Sequence, residues 1–414
     1  MPPEAPQHSD ALFDRLIDAA ASSGIPSMLE SLASDCIASR RWHALFDVRM
    51  LESRLAAGLP LTGDLGRLEG DARESFDERS IAACREAGWP LLEEGHIGAA
   101  WMYLRAAAEH EEIAARLAEV ADRMDLPNRE GVRGEAMQLS LFEGLDPALG
   151  IRLVLEDHGT CSGITAYMQA VSRLPPARRR SAADALVDHL HGECEVRLAA
   201  ELAEKGVPVP SREAATQAAP TIPEMISAAE RARITTGFHV DVSHLNNVLL
   251  IARECIDPAR IGRALELAVY AGHVPADLLM AGEPPFEELA EASRLFFSAE
   301  LGHDVQKAVD YFRRKADDAP GESLPAEWLV VLLARTGLAS DALDAAIQIL
   351  PSPEDRAGQP STGLVPSLVE LATTAGRWDL LLKACRQRND PVTFAAALAA
   401  YHQCQPKSLP PRAW

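Results

Sequence analysis

The chain has 414 residues, of which 40 are Lys or Arg and 61 are Asp or Glu, so its formal net charge is −21. This length supports two or three domains with substantial cores and excludes a peptide hormone or a disulfide miniprotein. Aromatic residues make up only 5% against 47% hydrophobic residues, so the core consists mainly of Ala, Leu, Val and Ile. That composition favours an all-α fold of closely packed helices.

Neither nucleic acid nor a membrane is predicted as the principal partner. A strongly acidic chain repels phosphate backbones and anionic lipid headgroups. The best basic cluster, Arg178 to Arg180, is interpreted as a solvated loop face. The longest apolar runs, 248–252 and 328–334, are far shorter than the roughly 18 to 20 residues that a membrane-spanning helix needs.

The cysteines and the N-terminus predict a cytoplasmic location. Residues 1–8 show no basic start followed by an apolar segment, so no secretory signal is predicted. The seven cysteines are scattered and include no CxxC pair, which is typical of reduced thiols in a reducing compartment. The excess of Arg over Lys and the abundance of Ala favour a GC-rich bacterial genome as the source.

The first half of the chain is predicted to be helical. Helical spacing of apolar residues occurs in three segments near the N-terminus: 11–21, 27–37 and 42–55. A later helix is predicted to end near Lys205, and the four prolines of 206–223 indicate a linker or surface crossing. We therefore expect an N-terminal helical domain over 1–205 and a C-terminal domain over 224–414.

A cysteine between two glycines is a candidate nucleophile. Gly159 and Gly163 flank Cys161, and such a pattern can form a strand-to-helix elbow that exposes a thiol. The elbow needs a parallel sheet, which the sequence does not predict. We favour the alternative, in which a helix from Pro147 ends before Gly159 and a new helix begins at Thr160 or Ser162.

The best strand pattern lies in the middle of the chain. Residues 234–242 are rich in β-branched side chains and alternate in polarity, and Ser243 then predicts the N-cap of a helix. Because one isolated strand cannot form a sheet, the fold prediction stays all-α.

The second half shows repeated helical stripes. Apolar residues recur at i, i+3, i+4 and i+7 in four segments, which start at Val305, Leu343, Val365 and Trp378. Gly302, Gly337 and Gly376 precede or separate these helices, at intervals of 337 − 302 = 35 and 376 − 337 = 39 residues. Such intervals are typical of two-helix repeats.

Several residues have the spacing of a known repeat. The positions in question are Gly88, Gly95, Ala100, Leu104 and Ala107 in the first half, Ala308, Phe312 and Pro320 in the second half, and a weaker copy at Gly337, Ala342 and Ala346. With this spacing, residues 75–125 and 285–400 resemble the tetratricopeptide repeat family. The match is partial, because Cys84, Leu91 and Glu112 stand where that family has its Trp, its Tyr and its closing proline.

The resemblance implies helical hairpins stacked as a short α-solenoid in two lobes, with a groove that binds peptides or protein surfaces. The first functional prediction is therefore a cytoplasmic scaffold or adaptor with no cofactor and no enzymatic activity. Its acidic charge favours a basic partner segment.

The alternative is a metal-dependent enzyme with a site between the two predicted lobes. Imidazole and carboxylate are the usual ligands of Zn or Mn, and six residues are candidates: His158, His189, His191, His239, Asp241 and His244. Their spacing gives little support, because His189 and His191 point apart on a helix. The motifs of nucleotide-binding and dinucleotide-binding enzymes are absent from the sequence.

Overall fold

The computed structural model describes residues 10–62, 68–207, 221–234, 237, 239–348 and 362–404. Within these ranges the fold is all-α, with nineteen α-helices and no β-strand. The chain divides into two compact units, Met1–Leu153 and Val154–Trp414.

Unit 1 contains seven helices and the start of an eighth: α1 (Asp10–Ser23), α2 (Ile25–Ala38), α3 (Trp42–Ala56), α4 (Asp71–Glu93), α5 (Ile97–Leu104), α6 (His110–Asp122), α7 (Arg129–Phe142) and α8 (Pro147–Gln169). Consecutive helices pack together as α2 with α3, α4 with α5, and α6 with α7. Helix α4 also contacts α6, and α5 contacts α7. Neighbouring pairs of unit 1 are therefore packed side by side.

The close packing of α4 against α5 depends on two glycines. A β-carbon added to Gly88 would lie only 2.7 Å from Cγ of Leu104, so α5 approaches α4 where α4 has no side chain. Gly95 forms the turn between the helices with a φ of +83°, a conformation that costs other residues about 1 to 2 kcal/mol. Leu104 is fully buried as a result.

Unit 2 contains the rest of α8 and eleven further helices: α9 (Pro176–Glu204), α10 (Ile222–Arg231), α11 (Val242–Ile251), α12 (Pro258–Ala271), α13 (Leu289–Glu300), α14 (Val305–Asp318), α15 (Ser323–Arg335), α16 (Ala339–Gln348), α17 (Leu368–Ala375), α18 (Trp378–Gln387) and α19 (Pro391–Cys404). Helix α9 packs against α10, α11 and α12, and from α12 to α19 each helix packs against the next along most of the series.

The aromatic core of unit 2 lies where α13, α14 and α15 meet. Phe286, Phe296, Phe312 and Trp328 are buried and make edge-to-face contacts, with ring centroids 5.2 to 5.9 Å apart. Such geometry stabilises aromatic pairs beyond the burial of their area.

The predicted linker at 206–223 lies mostly outside the described residues, and the two units divide elsewhere. Helix α9 precedes it and α10 to α12 follow it, yet these helices pack together within unit 2. The division between the units falls inside α8, where the sequence has no run of proline.

The structure corrects four local predictions. The described residues of 234–242 form no strand, and Asp241 caps α11 one residue before it begins, accepting a hydrogen bond from the Ser243 backbone N–H at 2.7 Å. Arg178 to Arg180 lie on α9, not on a loop. Val365 precedes α17, whose capping box begins at Ser367.

The predicted break within α8 is confirmed. Gly159 interrupts the helix with a φ of +80° and a ψ of 177°, and Cys161 is exposed in the following helical segment. In the described part of the chain no helix is both long enough and apolar enough to cross a membrane.

Candidate functional site

One face of α4 is not covered by neighbouring helices. Its residues Arg85, Glu86, Trp89, Pro90, Glu93 and Glu94 recur at helical spacing and line two hollows that share Pro90. The larger hollow has a volume of about 740 Å³ and the smaller one about 510 Å³. We call the two together the α4 groove.

The larger hollow is closed by two turns of the chain. The α2–α3 turn contributes Arg40 and Trp42, and the turn after α6 contributes Arg123 and residues 125–127. Glu94 connects the first turn to α4, because its Oε1 accepts hydrogen bonds from Arg40 Nε at 2.7 Å and from Trp42 Nε1 at 2.8 Å. Hydrogen bonds to Glu94 therefore hold the α2–α3 side of the larger hollow against α4.

Arg40 and Trp42 are positioned by the way the chain leaves α2. Arg40 has a φ of +55°, a left-handed conformation that is strained for a residue with a β-carbon. Trp42 begins α3, is half-buried, and packs against both hydrophobic clusters of unit 1. Its ring thus belongs partly to the core and partly to the groove.

The proline in α4 leaves one helical carbonyl without its usual donor. Pro90 lies inside the helix and has no backbone N–H, so the carbonyl oxygen of Glu86 lacks its usual helical donor. Both residues line the smaller hollow. A ligand with N–H donors can satisfy such a carbonyl.

The smaller hollow contains an arginine stacked on a tryptophan. The guanidinium of Arg116 lies 4.4 Å from the ring centroid of Trp89. Two carboxylates flank it, Glu93 at 3.3 Å and Glu112 at 3.6 Å. The chain itself therefore holds a guanidinium between an aromatic ring and two acidic groups at this surface.

The α4 groove has an excess of negative charge. Its lining includes five carboxylates, Glu86, Glu93, Glu94, Glu112 and Asp125, and three arginines, Arg40, Arg85 and Arg123. With Arg116 of the smaller hollow as a fourth arginine and His96 neutral, 4 − 5 gives a formal charge of −1 for these side chains. The groove is complementary to a partner with positive charge.

The predicted metal ligand His239 belongs to a buried hydrogen-bond chain in unit 2. The Tyr270 hydroxyl accepts from the His239 backbone N–H at 2.8 Å and lies 3.0 Å from Nδ1, while Nε2 bonds Glu201. This pattern is satisfied by a neutral imidazole with its proton on Nε2. The bond from Lys205, with further bonds from His239 and Gly237, lowers the pKa of Glu201 to about 2.

The other candidate ligands do not converge on one point, although His244 lies near enough to His189 to contribute to lowering its pKa. His189 Nε2 is 2.9 Å from the Thr160 hydroxyl, and burial lowers the pKa of this imidazole. His191 bonds Glu266 at 3.1 Å on another side of α9. The remaining candidates are the exposed His158, the helix cap Asp241, and His244 in the first turn of α11.

Among the described residues, no group of three or more His, Cys, Asp or Glu side chains is placed to hold a metal ion.

Unit 2 also buries ion pairs that the sequence did not predict. Arg179 pairs with Glu254 at 2.9 Å, and Arg335 pairs with Glu300 at 2.8 Å, where the Glu300 side chain is 2% exposed. Burial raises the pKa of Glu300 to about 7, although Arg335 opposes the shift. Burial likewise lowers the pKa of Arg253, which stacks on Phe286, to about 9.

Sequence reasoning missed the residues of the α4 groove. Trp42 and Trp89 are half-buried and line the two hollows. The proline within a helical pattern was the available signal, because a helix keeps an interior proline only where the lost hydrogen bond is tolerated.

No protein-family model matches this chain, and no curated protein matches it.

Proposed function

We propose that this protein is a scaffold of tetratricopeptide-like helical hairpins, located in the cytoplasm, that binds a segment of another protein in the α4 groove. The observation that carries the proposal is the uncovered face of α4, with a tryptophan in each of its two hollows. Half-buried aromatic side chains are typical anchors of protein interfaces.

The shape and chemistry of the groove support this function. The hollows share Pro90 and run along successive turns of α4, which suits an extended chain more than a compact small molecule. The carbonyl oxygen of Glu86 offers a main-chain contact, and Leu126 and Pro127 add apolar surface at the larger hollow. Groove binding of this kind combines main-chain hydrogen bonds with side-chain pockets.

Site-specific photo-crosslinking tests the proposal. A benzophenone amino acid replaces Leu126, which lines the groove, in the full-length protein inside cells that naturally contain it. The control places the same amino acid at Met102, which is 68% exposed on α5 and lies outside both hollows. We expect discrete crosslinked partners from position 126 and none of the same partners from position 102.

A second variant makes the result specific to the groove. Glu94→Arg reverses the charge at the wall of the larger hollow. We expect it to abolish the crosslinks from position 126. Equal crosslinking from positions 126 and 102, or crosslinks that survive Glu94→Arg, would refute the proposal.

A further inference from the structure

We infer that the segment bound in the α4 groove carries an arginine, whose guanidinium stacks on Trp42 and bonds the free carboxylate oxygen of Glu94. This inference rests on the proposed function, because it names the chemistry of the partner at the same groove.

Glu94 has one carboxylate oxygen available in the larger hollow. Its Oε1 accepts from both Arg40 and Trp42. Its Oε2 accepts no hydrogen bond from any of the residues that the structure describes. The Glu94 side chain is only 18% exposed, so its carboxylate is partly desolvated, and a charge-assisted hydrogen bond to it is strong.

The smaller hollow shows the same arrangement already filled. There Arg116 lies over Trp89, with the carboxylates of Glu93 and Glu112 on either side. The larger hollow repeats the elements of this arrangement, with Trp42 as the ring and Glu94 as the acceptor. A guanidinium supplied by a partner would complete the second copy.

The groove favours arginine over lysine for a geometric reason. A planar guanidinium can stack on a ring while its edge donates several hydrogen bonds, whereas an ammonium group is compact and strongly hydrated. A guanidinium can therefore stack on the Trp42 ring and bond the free oxygen of Glu94 at the same time.

Arg40 places a like charge beside the partner's arginine, because it donates to Oε1 of the same carboxylate. Its side chain is 69% exposed, and the interaction of such exposed charges amounts to at most about 1 kcal/mol. Removing this like charge strengthens binding by up to about fivefold, since 1.4 kcal/mol corresponds to a factor of ten. Arg40→Gly does so and also relieves the left-handed backbone at φ +55°.

The test uses three fluorescent peptides of leucine, serine and glycine that differ only at one central residue: arginine, lysine or citrulline. Citrulline keeps the planar shape but carries no charge. Binding to the full-length protein is followed by fluorescence anisotropy, and 5-fluorotryptophan labelling with ¹⁹F NMR shows whether the Trp42 signal shifts. Trp42→Phe assigns that signal.

Two variants define the role of the carboxylate. Glu94→Gln keeps the Oε1 acceptor and replaces the free oxygen with an amide, so we expect about tenfold weaker binding of the arginine peptide. Glu119→Gln removes the same charge from an exposed position of α6 outside both hollows, and we expect unchanged affinity. Arg40→Gly tightens binding.

The inference is supported if the arginine peptide binds more tightly than the other two, shifts the Trp42 signal, and loses this advantage in Glu94→Gln. Equal binding of the citrulline peptide, or full affinity in Glu94→Gln, would overturn it while crosslinking from position 126 still supported the proposed function. Absence of both peptide binding and crosslinking would overturn the two together.

Discussion

Because α4 and α5 pack closely, we expect substitution by alanine to change stability in opposite directions at two helical glycines. Gly88 in α4 and Gly134 in α7 both lie inside helices of unit 1. Replacing a helical glycine with alanine normally stabilises a protein by about 1 kcal/mol. We expect that result for Gly134→Ala, because no atom lies within 4 Å of the added methyl group.

Gly88→Ala has a further cost. Its methyl group would lie 2.7 Å from Cγ and 2.8 Å from Cδ2 of Leu104, and 3.2 Å from Cβ of Tyr103. Leu104 is fully buried, so it cannot move aside, and overpacking of this kind costs about 1 to 3 kcal/mol. Subtracting the helix gain leaves a net destabilisation of about 1 kcal/mol. The two variants therefore differ by about 2 kcal/mol.

Hydrogen exchange read by mass spectrometry measures the opening of the α4–α5 pair and of α7 in the full-length protein, and it does not assume that both units unfold together. Combining Gly88→Ala with Leu104→Ala removes the clash, and in that background we expect the methyl group at position 88 to become stabilising. Equal stabilisation by Gly88→Ala and Gly134→Ala in the original background would refute this account of the packing.

Three further predictions concern unit 2. Tyr270→Phe leaves two buried nitrogens of His239 without a partner, so we expect a local destabilisation of about 2 kcal/mol, measured by hydrogen exchange. Unchanged exchange would contradict this prediction. The pKa of Glu300 rises from 4.5 in the unfolded chain to about 7 in the folded protein, so its contribution to stability is present below about pH 4.5 and is lost as the pH rises through 7. We expect the free energy of unfolding, measured by denaturation across this pH range, to depend less on pH in Glu300→Gln. An identical pH profile in the variant would contradict the prediction. Ser367→Ala removes the hydrogen bond to the Glu370 N–H, so we expect hydrogen exchange to show that the free energy of opening α17 falls by about 1 kcal/mol. Thr373→Ala serves as a control outside the cap.

Much of the fold could be predicted from the sequence because helical periodicity is a local signal. The helices that contain Phe46, Phe312 and Trp378 lie where the apolar spacing predicts them. The strand predicted at 234–242 was wrong for the described residues, because the backbone N–H groups of Gly237 and His239 bond the side chains of Glu201 and Tyr270 and not a neighbouring strand. Such contacts join residues far apart in sequence and leave no local pattern.

The candidate site was harder to predict for the same reason. The α4 groove brings together Arg40, Trp42, Glu94 and Arg123 from three parts of unit 1, and the periodicity of α4 alone does not show which of its faces stays uncovered. The histidines were predicted as metal ligands from their side-chain chemistry alone. In the structure they serve separate hydrogen bonds.

The ion pair between Arg40 and Glu94 changes the kind of equilibrium that governs recognition. Because Arg40 already neutralises much of the charge of Glu94 through Oε1, a second guanidinium at the free oxygen gains less from long-range attraction than from stacking and hydrogen bonding, so added salt has a limited effect on affinity. An isolated cation therefore gains little at this site. A segment whose arginine is flanked by apolar residues gains additional contacts at no electrostatic cost, so the groove selects sequence context over charge alone.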